Sequence, residues 1–105
     1  MNSRPETDRI LDALHEQGRF VIFTHVRPDA DAVGSCLALA LALRDAGKAV
    51  QFWCPGGLPE KFGFLPAGEL AQPPPHEPVA CDAVVVIDAA SIDRCGDCAG
   101  KVAGW

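Results

Sequence analysis

The residues with the most chemistry lie in one short stretch, His25-Val-Arg-Pro-Asp29-Ala-Asp31-Ala-Val-Gly34-Ser35. It holds one imidazole and two carboxylates within seven residues. A third carboxylate, Asp88, follows the apolar run Ala83-Val-Val-Val-Ile87 much later in the chain. Carboxylates gathered in one place repel one another, and a bound divalent cation removes that cost. Imidazole plus carboxylates suits Mn²⁺ or another first-row ion better than Ca²⁺. Asp29 and Asp31, joined by Asp88, could hold two ions about 3.5–4 Å apart, an arrangement that activates a water and clamps a phosphoryl group. Each acid also has a plainer reading. Asp29 could be a turn residue after Pro28, Asp31 a helix N-cap, and Asp88 the cap of a following helix. Those readings leave His25 unexplained, and they do not explain why all four residues fall at the ligand-binding edge.

The elements around them give the frame. Residues 5–17 read as an amphipathic helix with Ile10, Leu11 and Leu14 on one face, and Gly18 suits its stop. Phe20-Val-Ile-Phe-Thr24 is a continuous apolar run, as in a strand of a parallel sheet buried on both faces. Residues 32–46 alternate Leu with Ala, but their length and composition favour a helix buried on most sides, stopped by Gly47. Ala49-Val-Gln-Phe-Trp53 and residues 83–87 read as further strands. Between them, residues 54–78 hold seven of the nine prolines and read as connection. A short helix is expected within Leu58–Leu65, with Phe62, Phe64 and Leu65 covering the core. Another is expected over residues 92–95, capped by Ser91. This alternation predicts an α/β fold with a parallel sheet of about three strands and flanking helices. In strand order 2-1-3 the first and third strands are neighbours, and His25, Asp29, Asp31 and Asp88 share the ligand-binding edge. Gly34 and Ser35 would then open the helix, with backbone N–H groups free for phosphate.

Composition narrows the function classes. The chain has 105 residues, enough for one domain. Nine basic residues against fourteen acidic ones give a net charge of −5, so a basic nucleic-acid footprint is absent. The longest apolar run, Cys36 to Leu43, is far too short to span a membrane. A polar N-terminus without a signal-peptide pattern, together with five cysteines, predicts reduced thiols and a cytoplasmic location.

The stretch from His25 to Ser35, between an apolar strand and an Ala/Leu-rich helix, resembles motif I of the DHH phosphoesterases. Val84-Val-Val-Ile-Asp88, followed by Ser91-Ile-Asp-Arg94, resembles their motif II. The form His-x-x-Pro-Asp-x-Asp-Ala-x-Gly-Ser is closer to the nano-RNase branch than to the RecJ exonucleases. That branch includes the bifunctional oligoribonuclease and 3′-phosphoadenosine-5′-phosphate (pAp) phosphatases. The Leu58–Leu65 segment is also similar to it. Ala30 stands where the branch usually has Gly. The resemblance implies a Rossmann-like DHH domain and a hydrolase acting on short RNA oligonucleotides or pAp with two Mn²⁺ ions. It implies His25 and Asp29 on the first ion, Asp31 on the second, and Asp88 bridging both, with Asp31 and Asp88 catalytic. Ser35 and Arg94 are its candidates for substrate contact; a salt bridge to a nearby acid is the plainer role for Arg94.

The family's Asp-His-His motif, fourth carboxylate motif and C-terminal substrate-binding domain do not occur in these 105 residues. By resemblance, residues 1–105 read as the N-terminal third of such an enzyme, expected to bind one Mn²⁺ weakly and to be inactive alone. Two other readings compete. A haloacid-dehalogenase-like phosphatase also uses Asp-x-Asp after a strand, but there the first Asp follows the strand directly, where this chain has His25. A non-catalytic α/β module that binds a metal or a partner fits the missing motifs. Cys95-Gly-Asp-Cys98 has metal or redox spacing, but it is a single pair without further ligands in register. Cys36 and Cys81 read as small buried residues, His15 and His76 as solvated, and Trp53 and Trp105 as packing residues.

Overall fold

The structure is a computed structural model that describes residues 5–65, 67–89 and 92–104. Its elements run α1 (Pro5–Glu16), β1 (Arg19–Thr24), α2 (Ala30–Asp45), β2 (Ala49–Trp53), β3 (Ala71–Gln72) and β4 (Ala83–Ile87), with short 3-10 turns after β2 and after β4. The strands form one parallel sheet in the order β3-β2-β1-β4. The α/β class and the adjacency of the first and last long strands are therefore as the sequence predicts. The fourth strand is the addition. Ala71 and Gln72 pair with Phe52 and Trp53, and Cys54 N–H donates to the Gln72 carbonyl at 2.7 Å. A two-residue strand within proline-rich connection has too few residues to show any period.

Side chains alternate across the sheet and divide the core into two layers. Phe20, Ile22 and Phe52 pack with Val33, Cys36, Leu37, Ala40 and Leu43 of α2. Val21, Phe23 and Trp53 pack on the other face with Cys95, Cys98 and Val102. Phe23 and Trp53 stack with ring planes 5° apart and centroids 6.3 Å apart, an offset geometry that adds to simple area burial. The weakly patterned tail is thus part of the core. It is held by Val79 N–H to the Lys101 carbonyl at 2.8 Å and Ala103 N–H to the Val79 carbonyl at 2.9 Å.

Three expectations need correction. α2 buries one stripe rather than most sides, because only the positions facing the sheet find partners; Ala38 and Ala42 are exposed. Phe64 is 78% exposed, whereas Phe62 is buried under the turn Glu60–Phe62 and Leu65 packs against the same core as expected. Finally, α1 buries no residue: Ile10 and Leu11 are 62% and 49% exposed, and only Leu14 reaches the core. The apolar face expected on this helix exists, but the described residues offer it little to pack against. The expected cap Ser91 and the packing residue Trp105 lie outside the described residues. No described helix is long and apolar enough to cross a membrane.

The start of β1 is tied to β4 by Asp82. Its carboxylate accepts from the N–H groups of Gly18 and Arg19, at 3.2 and 2.8 Å, and faces the Arg19 guanidinium at 3.7 Å. Those backbone donors, with Arg19, hold the Asp82 carboxyl below its ordinary value of 3.8. A carboxyl lowered in the folded state stabilises it above the unfolded pKa, and that contribution is lost as pH falls through the lowered value. Asp82→Asn, a neutral isostere, should lower the melting temperature at pH 7, with the gap from the parent narrowing as pH falls below about 4. Thermal unfolding at several pH values checks this; a gap of equal size at pH 7 and pH 3 contradicts it.

Candidate metal centre

Two loops meet at the C-terminal edge of the sheet. The first leaves β1 at His25. The pairing of β1 with β4 sets Thr24 opposite Ile87, so the next residues, His25 and Asp88, emerge side by side. His25 Nε2 lies 3.8 Å from Asp88 Oδ2, beyond hydrogen-bond range. Asp29 completes the group, and one ligand atom from each of the three residues lies within 4.8 Å of the others. Two ligands that each sit about 2.1 Å from one ion are at most about 4.2 Å apart. Small side-chain rotations therefore close the group around a single cation.

Local structure aims each donor. His25 Nδ1 lies 2.8 Å from the Val26 carbonyl, to which it can only donate, and that tautomer leaves the Nε2 lone pair facing Asp88. Asp29 is the N-cap of α2: Oδ1 accepts from Ala32 N–H at 2.8 Å, leaving Oδ2 for a cation. Asp88 adopts a left-handed backbone with φ 55°, and Arg27 in the facing loop has φ 54°. Such conformations are uncommon outside glycine, are tolerated best by Asp and Asn, and collect at functional sites. The His25 loop is braced from the other side. Val26 N–H donates to the Arg94 carbonyl at 2.6 Å. Gly96, at φ +62°, lies so close that a Cβ there would come within 3.0 Å of Val26 Cγ1. His25 is three-quarters shielded on its side chain while Asp88 is half open, so the site faces solvent on the Asp88 side.

The capping role belongs to Asp29 rather than Asp31, because α2 begins at Ala30, two residues earlier than the sequence suggests. Asp31 stands exposed in the first turn, outside the group of three converging donors. The earlier start also corrects the phosphate-holding role of Gly34 and Ser35. Both lie in the second turn, where N–H groups are used by the helix. The Ser35 hydroxyl is exposed, and so is Arg94, which forms no ion pair among the described residues. Ala30, the departure from the usual glycine, is exposed at the helix start.

The thiols are not part of this donor set. All five cysteines are free, and four are buried. Burial, together with neighbouring Cys54 and Asp88, pushes the Cys36 thiol up to about 12. Burial also drives Cys98 to about 12 and raises Cys95. A thiol so far from its thiolate is a poor ligand or nucleophile, and Cys95 and Cys98 serve the core beside Val21 and Phe23. Sequence reasoning passed over one polar group near the site, Thr24. Its only signal is a hydroxyl ending a run of four apolar residues.

The family model for the DHH family, N-terminal domain, matches residues 19–102. A crystal structure of an exopolyphosphatase-related protein from Bacteroides fragilis superposes with a TM-score of 0.81 at 21% identity, covering 97% of this chain and 32% of that one. The present chain thus spans about a third of the length of that structure.

Asp29 combines a cap and a proposed ligand, and two substitutions separate them. Asp29→Ala should cost about 1 kcal/mol of stability through the lost cap, whereas Asp29→Asn should cost little. Both should weaken Mn²⁺ binding, since neither offers a charged ligand. Denaturant unfolding alongside metal titration checks this; Mn²⁺ affinity retained in Asp29→Asn contradicts the ligand role.

Proposed function

Because the chain belongs to the DHH family through its N-terminal domain, we propose that His25, Asp29 and Asp88 form the divalent-cation site of a metal-dependent phosphoesterase. The observation that carries this reading is the convergence of His25 and Asp88, from the ends of neighbouring parallel strands, with Asp29 at the N-terminus of α2. A nitrogen and two anionic oxygens suit Mn²⁺ or a similar first-row ion. A bound cation there would supply a nucleophile from water at neutral pH and charge stabilisation on the phosphoryl oxygens.

The protein's own residues do the orienting. Val26 fixes the His25 tautomer, and Ala32 N–H fixes Asp29. Asp88, half exposed, would serve a second ion together with Asp31 on the first turn of α2. Arg94 offers an exposed guanidinium on the turn that braces the His25 loop, suited to the charge of a phosphate substrate. Ser35 supplies a neutral donor one turn along α2. We take the substrates to be short oligoribonucleotides or pAp. That choice rests on the form of the motif from His25 to Ser35 and on the Leu58–Leu65 segment. The description of the Bacteroides fragilis relative as exopolyphosphatase-related belongs to the same broad class of phosphate chemistry. A reduced, cytoplasmic setting fits the free thiols.

Calorimetry with Mn²⁺ tests the site. The 105-residue chain should bind one ion weakly, and Asp88→Ala should remove most of that binding. Unchanged affinity in the variant rules out the assignment. With only Asp31 and Asp88 available for a second ion among the described residues, phosphate release from pAp should stay near background. Robust turnover that disappears in Asp31→Ala would show that these residues suffice.

A further inference from the structure

Thr24 is the only buried polar residue among those described, and it sits directly before His25 at the end of β1. Its Oγ1 has no hydrogen-bond partner among the described residues. A hydroxyl stripped of water and left unpaired costs free energy that a valine of the same shape would not. Position gives the hydroxyl a use. Alternation along β1 places Thr24 on the α2 face with Phe20 and Ile22, and its partner across the ladder is Ile87, the residue before Asp88.

The three proposed ligands differ in how they are held. His25 has the Val26 carbonyl and Asp29 has Ala32 N–H. Asp88 has no hydrogen bond among the described residues, only its approach to His25. One donor lacks an acceptor, and one carboxylate lacks a donor, at adjacent positions of two paired strands. We propose that Thr24 is a positioning residue for the cation site, its hydroxyl donating to Asp88 when a cation draws that carboxylate inward. The inference rests on the cation-site reading above. Ligands held by such outer partners bind metal more tightly, typically by about 10–100-fold.

The test is Mn²⁺ calorimetry on the parent chain, Thr24→Val, Thr24→Ser and Asp88→Ala, with thermal unfolding of each metal-free protein. Thr24→Val should lose about 10–100-fold in Mn²⁺ affinity. Its metal-free melting temperature should equal or exceed the parent's, because the unpaired hydroxyl is gone. Thr24→Ser, which keeps the hydroxyl, should bind nearly as the parent does. Parent-like affinity in Thr24→Val, with binding still lost in Asp88→Ala, overturns the role of Thr24 and leaves the cation site standing. A drop in metal-free melting temperature in Thr24→Val also overturns it, since the hydroxyl would then be satisfied without metal. Absence of Mn²⁺ binding by the parent overturns the site itself, and the role of Thr24 with it.

Discussion

The parallel pairing of β1 with β4 is the constraint on which the rest of the structure turns. Five residues of each strand are in register, from Phe20 opposite Ala83 to Thr24 opposite Ile87. One residue beyond the last pair, the chain delivers His25 from one strand and Asp88 from the other. A slip of one residue would move every side chain of β4 to the opposite face and carry Asp88 away from His25. Register is enforced by burial. Phe20 and Ile22 must face α2, while Val21 and Phe23 must face Trp53 and the tail, and neither set can exchange places without exposing large apolar area. Asp82 adds a fixed point at the other end of the ladder, where it binds the backbone of Gly18 and Arg19.

The same pairing explains why the site is firm on one side and open on the other. β1 is flanked by β2 and β4, and its last five residues are buried. His25 therefore leaves the sheet from a rigid base. β4 is an edge strand, only half buried along its length, with Val86 exposed. Asp88 leaves from that looser edge through a left-handed backbone. The braces reflect this asymmetry: Val26, Asp29 and His25 all have backbone partners, whereas Asp88 makes no hydrogen bond among the described residues. An edge of unpaired backbone also invites association with other strands, a liability for a short sheet.

Much of this was legible in the sequence because the signals were long or chemically distinctive. Two continuous apolar strands, a third interrupted only by Gln51, and an Ala/Leu-rich helix fix the class, and polar residues placed directly after strands fix the edge that carries chemistry. What escaped has physical reasons. A carboxylate that caps a helix and one that awaits a cation look the same in a sequence, and in Asp29 one side chain does both. The start of α2 two residues early followed from that cap and displaced Gly34 and Ser35 into the second turn. The exposure of Ile10, Leu11 and Phe64 could not be read from pattern, because amphipathic spacing states that a face is apolar and not what covers it. Thr24 was hidden by its neighbours: in a strand of strong β-formers, a threonine reads as one more branched side chain.

Paramagnetic broadening of backbone amide resonances by substoichiometric Mn²⁺ tests the central claim directly, because it locates the ion without relying on activity. The account predicts that the amides of His25, Asp29 and Asp88 broaden first, with those of Asp31 and Thr24 close behind, while the acidic face of α1 and the start of β4 stay sharp. Broadening centred on Asp8, Asp12 and Glu16, or spread evenly over the surface carboxylates, would contradict it.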